Sequence, residues 1–200
     1  MPPYRPTYAE IDLSAIRDNI KAIRERVGPK VRIMPAVKAN GYGHGAVEVS
    51  RAVLEAGAEV LCVALPEEGI ELREAGFDVP ILILGCSTVE AVGEIVRRDI
   101  ASTVCDLEYA HALSDEAIKR GRKASVHLKV DTGMGRIGVQ PEDAIDTLLA
   151  LQALPGLDVV GVFTHFPSAD ETDRTFTTAQ IALFRKTLEG LKRKGACFEI

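Results

Sequence analysis

Short apolar runs alternate with helix-patterned stretches along nearly the whole chain, and this alternation restricts the fold more than any other feature. The apolar runs lie at roughly 31–38, 60–64, 80–84, 100–104, 124–131 and 157–164, and another begins at Ala196 and runs to Ile200. Helical stretches fall near 46–56, 67–75, 88–97, 107–120, 141–153 and 173–194, the last with Ile181, Phe184, Leu188 and Leu191 at helical spacing. An earlier helix follows Asp12-Leu13-Ser14, with Ile16, Ile20, Ile23 and Val27 on one stripe and Ser14 as its expected N-cap. Strand–helix units of this length predict an α/β fold with a parallel sheet.

Two architectures share that pattern, an open doubly wound sheet and a closed barrel. Side-chain parity separates them. In the run from Ser125 to Asp131, Ser125, His127, Lys129 and Asp131 alternate with Val126, Leu128 and Val130. Arg32, Met34, Ala36 and Lys38 alternate in the same way with Val31, Ile33, Pro35 and Val37. A strand covered by helices on both faces is more uniformly apolar, whereas a barrel strand turns one face to the helices and the other to the lumen. The expected fold is therefore a TIM-type (β/α)8 barrel. Pro35 lacks a ladder donor, so an irregularity is expected in the first strand. A full barrel has eight strands, and the runs above supply six and the start of a seventh. Residues 14–200 are read as the N-terminal and central part of the barrel. Residues 1–13 are read as a lead-in, with the rest of the barrel expected beyond Ile200.

Composition narrows the function classes. The formal charge of −5 gives no electrostatic reason to expect nucleic acid or an anionic membrane as partner. No apolar run reaches the roughly 18 residues of a spanning helix, and Met1-Pro2-Pro3-Tyr4-Arg5 lacks the apolar core of a secretory signal. Cys62, Cys86, Cys105 and Cys197 are spaced too widely and unevenly for a zinc cluster or a disulfide framework. They read as reduced, mostly buried thiols of a cytoplasmic protein.

Reactive side chains collect where the strands should end, which is the active-site end of a barrel. Ala36-Val37-Lys38-Ala39-Asn40-Gly41-Tyr42-Gly43-His44-Gly45 sets a lysine at the close of an apolar run, followed at once by a glycine-rich turn. Partial desolvation makes the amine of a lysine available to a carbonyl, and the glycines allow a tight turn and close approach of a ligand. Asp131 closes the fifth run, ahead of Thr132-Gly133-Met134-Gly135-Arg136-Ile137-Gly138, and His165 closes the sixth. Lys129 is the odd residue, because a lysine facing the lumen before the strand end must be paired or modified. His127 reads as an interior group rather than a reacting one. The glycine-rich stretch matches neither nucleotide-loop pattern, and no cluster has metal-ligand spacing.

Residues 36–45, the block from His127 to Arg136, and the block Val162-Phe163-Thr164-His165-Phe166-Pro167-Ser168-Ala169-Asp170-Glu171 together resemble the bacterial alanine racemases. The resemblance runs the length of the chain in the expected order. It implies a pyridoxal 5'-phosphate enzyme of fold type III, with a barrel followed by a mainly β domain. It implies that Lys38 holds the cofactor as an imine and acts as one of two bases. Tyr42 should reach the cofactor phosphate, His165 should pack on the pyridine ring, and Arg136 should lie near the cofactor phenolate and substrate carboxylate, with Asn40, His44 and Asp131 in support. Lys129 matches a position carbamylated in many relatives, where the new carboxylate holds the arginine. The implied reaction interconverts L- and D-alanine for peptidoglycan, in a homodimer whose second base is a tyrosine of the partner subunit, so residues 1–200 alone should be inactive. Rival readings are a single-domain pyridoxal-phosphate barrel of cofactor homeostasis, a decarboxylase on the same barrel, and a noncatalytic phosphate-binding or dimerisation module.

Overall fold

Asp12 begins the first helix. In the computed structural model, which describes residues 7–196 and 198, its carboxylate accepts from the N–H groups of Ser14 at 2.8 Å and Ala15 at 3.2 Å. Asp12, not Ser14, is therefore the N-cap of α1 (Leu13–Val27), and the Ser14 hydroxyl donates to the same oxygen. A charged acceptor on extended backbone outcompetes a hydroxyl for the orphan donors of a first turn.

Residues 31–38 form no continuous strand. Ala36 alone makes a ladder bridge, to Cys62. Around it, Val37 N donates to Cys62 O at 2.8 Å, Cys62 N donates to Pro35 O at 2.9 Å, and Glu59 N donates to Ile33 O at 3.0 Å. The next bond of a parallel ladder would need an N–H on residue 35, and proline has none. Lys38 consequently starts a short helical turn, α2 (Lys38–Tyr42), instead of ending a strand.

Five parallel strands follow: β1 (Leu61–Val63), β2 (Ile81–Ile83), β3 (Ala101–Val104), β4 (Ala124–Lys129) and β5 (Leu157–Phe163). Their spatial order is their chain order. A doubly wound sheet reverses order at a switch point, and this sheet has no reversal among the described residues. The connecting helices are α3 (Ala46–Glu55), α4 (Pro66–Glu74), α5 (Val92–Arg97) after a 3₁₀ turn (Val89–Ala91), α6 (Leu107–Lys119) and α7 (Ala144–Ala153), and α8 (Thr175–Arg193) follows β5. The expected strand between Ala196 and Ile200 falls largely outside the described residues.

Parity in β4 matches the barrel reading. Val126, Leu128 and Val130 are wholly buried in one continuous core that also holds Leu113 of α6 and Leu148 and Leu151 of α7. Each such side chain contributes about 1.5–3 kcal/mol, and a one-residue slip would turn all three away from the helices. On the alternate positions, Ser125 and His127 line a cavity with Arg32 and Met34 of the first segment. A bulge between Val126 and His127 adjusts the pairing of β4 with β5 just before the functional end.

Candidate active site

The turn carrying Lys38 is left-handed. Ala39, Asn40, Gly41 and Tyr42 have φ of 51°, 53°, 61° and 54°. For residues with a Cβ this costs about 1–2 kcal/mol each, so something must hold the turn. Gly41 N donates to Val37 O at 2.8 Å and Gly43 N to Ala39 O at 3.0 Å. The Asn40 side chain accepts from Ala46 N at 2.8 Å, satisfying a donor at the start of α3. His44 is exposed, and its Nδ1 lies 3.0 Å from Tyr42 O and 3.2 Å from Gly41 O. Both partners are carbonyls, so Nδ1 carries the proton. Asn40 and His44 thus serve the turn itself.

Glu68, which sequence reasoning missed, anchors this turn to the sheet. One carboxylate oxygen accepts from Ala39 N at 2.6 Å, and the other accepts from Ala64 N at 2.7 Å and Leu65 N at 3.1 Å. Leu65-Pro66-Glu67-Glu68, with proline at the first helical position and an acid two residues later, was its only sequence signal. The outcome is a half-buried Lys38 whose Nζ sits 5.9 Å from the centre of the exposed Tyr42 ring.

A second group gathers at the ends of β4 and β5. Lys129 is 4% exposed, and its Nζ lies 4.9 Å over the Phe163 ring. Among the described residues it forms no ion pair. Burial pushes its ammonium down to about 8, against the opposing pull of Asp131 and Cys105, and the Arg136 charge pushes the same way. Asp131 is engaged elsewhere: its two oxygens accept from Gly133 N at 2.9 Å and Gly135 N at 2.8 Å, folding the loop that presents Arg136. The loop then returns, Val139 bridging to Val130. Gly138, at φ 122°, is required there, since a Cβ would stand 2.7 Å from Asp131 N.

His165 lies two residues past β5 and is exposed. Desolvation lowers its pKa first, and the charges of Lys129, Arg136 and Lys38 lower it further. Those three cations therefore lie within electrostatic reach of the His165 ring. Beneath them, Thr132 and Thr164 join hydroxyls at 2.7 Å, and the Gln180 amide of α8 donates to Thr132 Oγ1 at 3.2 Å and His165 O at 3.1 Å. Gln180 is 1% exposed. Nothing in the helical stripe marked it, because a buried polar residue there looks like an interruption of the apolar face.

His127 is buried toward the opposite end of the sheet, and burial together with the Arg32 charge pulls it down to about 4, so it is neutral near pH 7. No three His, Cys, Asp or Glu side chains among the described residues are arranged to hold a metal. The Lys38 amine, the Tyr42 phenol and the neighbouring cations suit a ligand with a carbonyl and an anionic group.

The family model for the alanine racemase N-terminal domain matches residues 11–200. The chain belongs to the alanine racemase N-terminal domain family. Among curated alanine racemases, that of Desulforamulus reducens is 49% identical over 98% of this chain and 53% of its own length, and that of Methanococcus maripaludis is 46% identical over 95% and 51%. The solved alanine racemase of Clostridium difficile 630 in complex with cycloserine superposes with a TM-score of 0.94 at 38% identity, covering 99% of this chain and 55% of that one. The Bacillus anthracis alanine racemase with bound L-Ala-P gives 0.88 at 38% identity, covering 100% and 52%. The fold is thus that of the alanine racemase N-terminal (β/α)8 barrel. The chain spans about half the length of the curated relatives it matches.

Proposed function

We propose that the protein interconverts L- and D-alanine with pyridoxal 5'-phosphate, supplying D-alanine for peptidoglycan as a cytoplasmic homodimer with a tyrosine base from the partner. The observation that carries this reading is that the charges of Lys38, Lys129 and Arg136 all bear on His165 at the strand ends of a racemase-family barrel. The donor set fits the cofactor: Lys38 for its aldehyde, Tyr42 for its phosphate, and His165 and Arg136 for the ring and phenolate. When bound, pyridoxal phosphate supplies the electron delocalisation that makes a substrate α-proton acidic. Lys38 Nζ takes or returns that proton on one face. His165, held neutral near pH 7, offers an uncharged ring, while Arg136 orients the substrate carboxylate. No helix among the described residues is long and apolar enough to cross a membrane. Residues 1–13 and 14–200 remain proposed as lead-in and barrel, ahead of a β domain.

Lys129 is proposed to be carbamylated. A buried amine near pKa 8 is partly unprotonated at neutral pH, so its nitrogen adds to carbon dioxide, releases a proton and leaves a carboxylate that pairs with Arg136. An intact mass showing an unmodified Lys129 amine sinks that assignment. For the main proposal, borohydride treatment of the full-length protein should give a yellow-to-colourless change and a reduced cofactor adduct on Lys38, and K38A should abolish both. No adduct, or an adduct on another lysine, overturns it.

A further inference from the structure

We propose that Cys86 and Cys105 are a redox-reactive dithiol that closes reversibly into an intramolecular disulfide at the active-site end of the sheet. β2 and β3 pair Leu82 with Ala101 and Ile83 with Ser102. Cys86 lies three residues past the end of β2 and Cys105 one residue past the end of β3, at the same end of the sheet. The two Sγ atoms are 3.5 Å apart, and both thiols are free.

Exposure divides the roles. Cys86 is exposed and Cys105 is half-buried, whereas Cys62 is sealed in the core; burial pushes the thiols of Cys62 and Cys105 alike up to about 12, so exposure and the short Sγ separation set the pair apart. Cys86 is therefore the entry thiol, and its partner in the pair is the resolving one. With a low-molecular-weight disulfide as oxidant, the Cys86 thiolate attacks one sulfur and expels a thiolate, leaving a mixed disulfide. Cys105 loses its proton and attacks Cys86 Sγ, which releases the second small thiol. Two protein thiols give up two electrons and two protons, and one small disulfide becomes two thiols. Cys105 lies within the electrostatic reach of Lys129, so the bridge would form beside the proposed cofactor region. This proposal stands on the thiol geometry and not on the racemase reading.

The test is oxidised glutathione added to the native full-length protein, followed by peptide mapping without reduction. The expected result is a Cys86–Cys105 linked peptide pair, lighter by two hydrogens and restored by dithiothreitol, with Cys62 still reduced. C105S should instead retain glutathione on Cys86, and C86S should leave Cys105 unmodified. Two freely titrating thiols, glutathione held on Cys86 in the wild type, or a bridge to any other cysteine would each overturn the proposal.

Discussion

Lys129 and Ala39 are each held in a state that an isolated residue would avoid. Lys129 is buried without an ion pair among the described residues, and its folded pKa of about 8 lies below the ordinary lysine value of 10.5. Between those values the unfolded chain binds a proton that the folded chain does not, so stability rises with pH across that window. In carbon-dioxide-free buffer, the wild type should gain on K129M between pH 8 and 10.5 in urea denaturation, and the gain should vanish below pH 7. A parallel pair of pH profiles would refute the assignment of burial as the dominant cause. Ala39, at φ 51°, carries a different strain. Glycine pays no Cβ penalty there, so A39G should stabilise the fold by about 0.5–1 kcal/mol, whereas the same change at Ala52 inside α3 should destabilise it. Calorimetry on both variants checks the contrast.

Loops, rather than the strands they follow, decide where the reactive groups stand. Glu68 of α4 joins the Lys38 turn to the residues after β1 through three backbone donors. Charge-assisted bonds of this kind contribute about 1.5–3 kcal/mol. E68A is expected to lower stability by that amount and to weaken pyridoxal phosphate capture, read as a raised apparent Kd in an absorbance titration. Gly138 plays the equivalent part for Arg136. G138A must displace Asp131 N or Val130 C, and should cost about 1–3 kcal/mol with loss of activity in the full-length protein. The apolar runs that Lys38, Asp131 and His165 were read as closing were legible in the sequence from their alternation with helical spacing, but Lys38 opens a turn rather than ending a strand and His165 falls two residues past β5. Glu68 and Gln180 were not legible, since each acts on backbone groups brought near by the winding of the sheet. The four cysteines were read as mostly buried thiols, yet Cys86 is exposed, because the chain leaves β2 before that position.

The proposed cofactor region and the Arg73 network lie at opposite ends of the sheet. Away from Lys38, the Arg73 guanidinium donates to the carbonyls of Arg98 at 2.9 Å and of Phe77, Val79 and Asp99 at 2.7 Å each. It ties together the segments entering β2 and β3. R73A leaves four carbonyls without that donor and should destabilise by about 2–4 kcal/mol, while the cofactor Kd of the protein that remains folded stays unchanged. A shift in that Kd would contradict the division of roles.

The order of strands and helices, the two-faced character of β4 and the blocks around Lys38, Arg136 and His165 are all local patterns, set by side-chain period and by turn residues. They could be read along the chain. The left-handed turn at Ala39–Tyr42, the Glu68 anchor, the Gln180 contact beneath His165 and the meeting of Cys86 with Cys105 needed the folded sheet. Each joins residues far apart in the chain, or is strained on its own, and only parallel register and packing bring the partners within bonding distance.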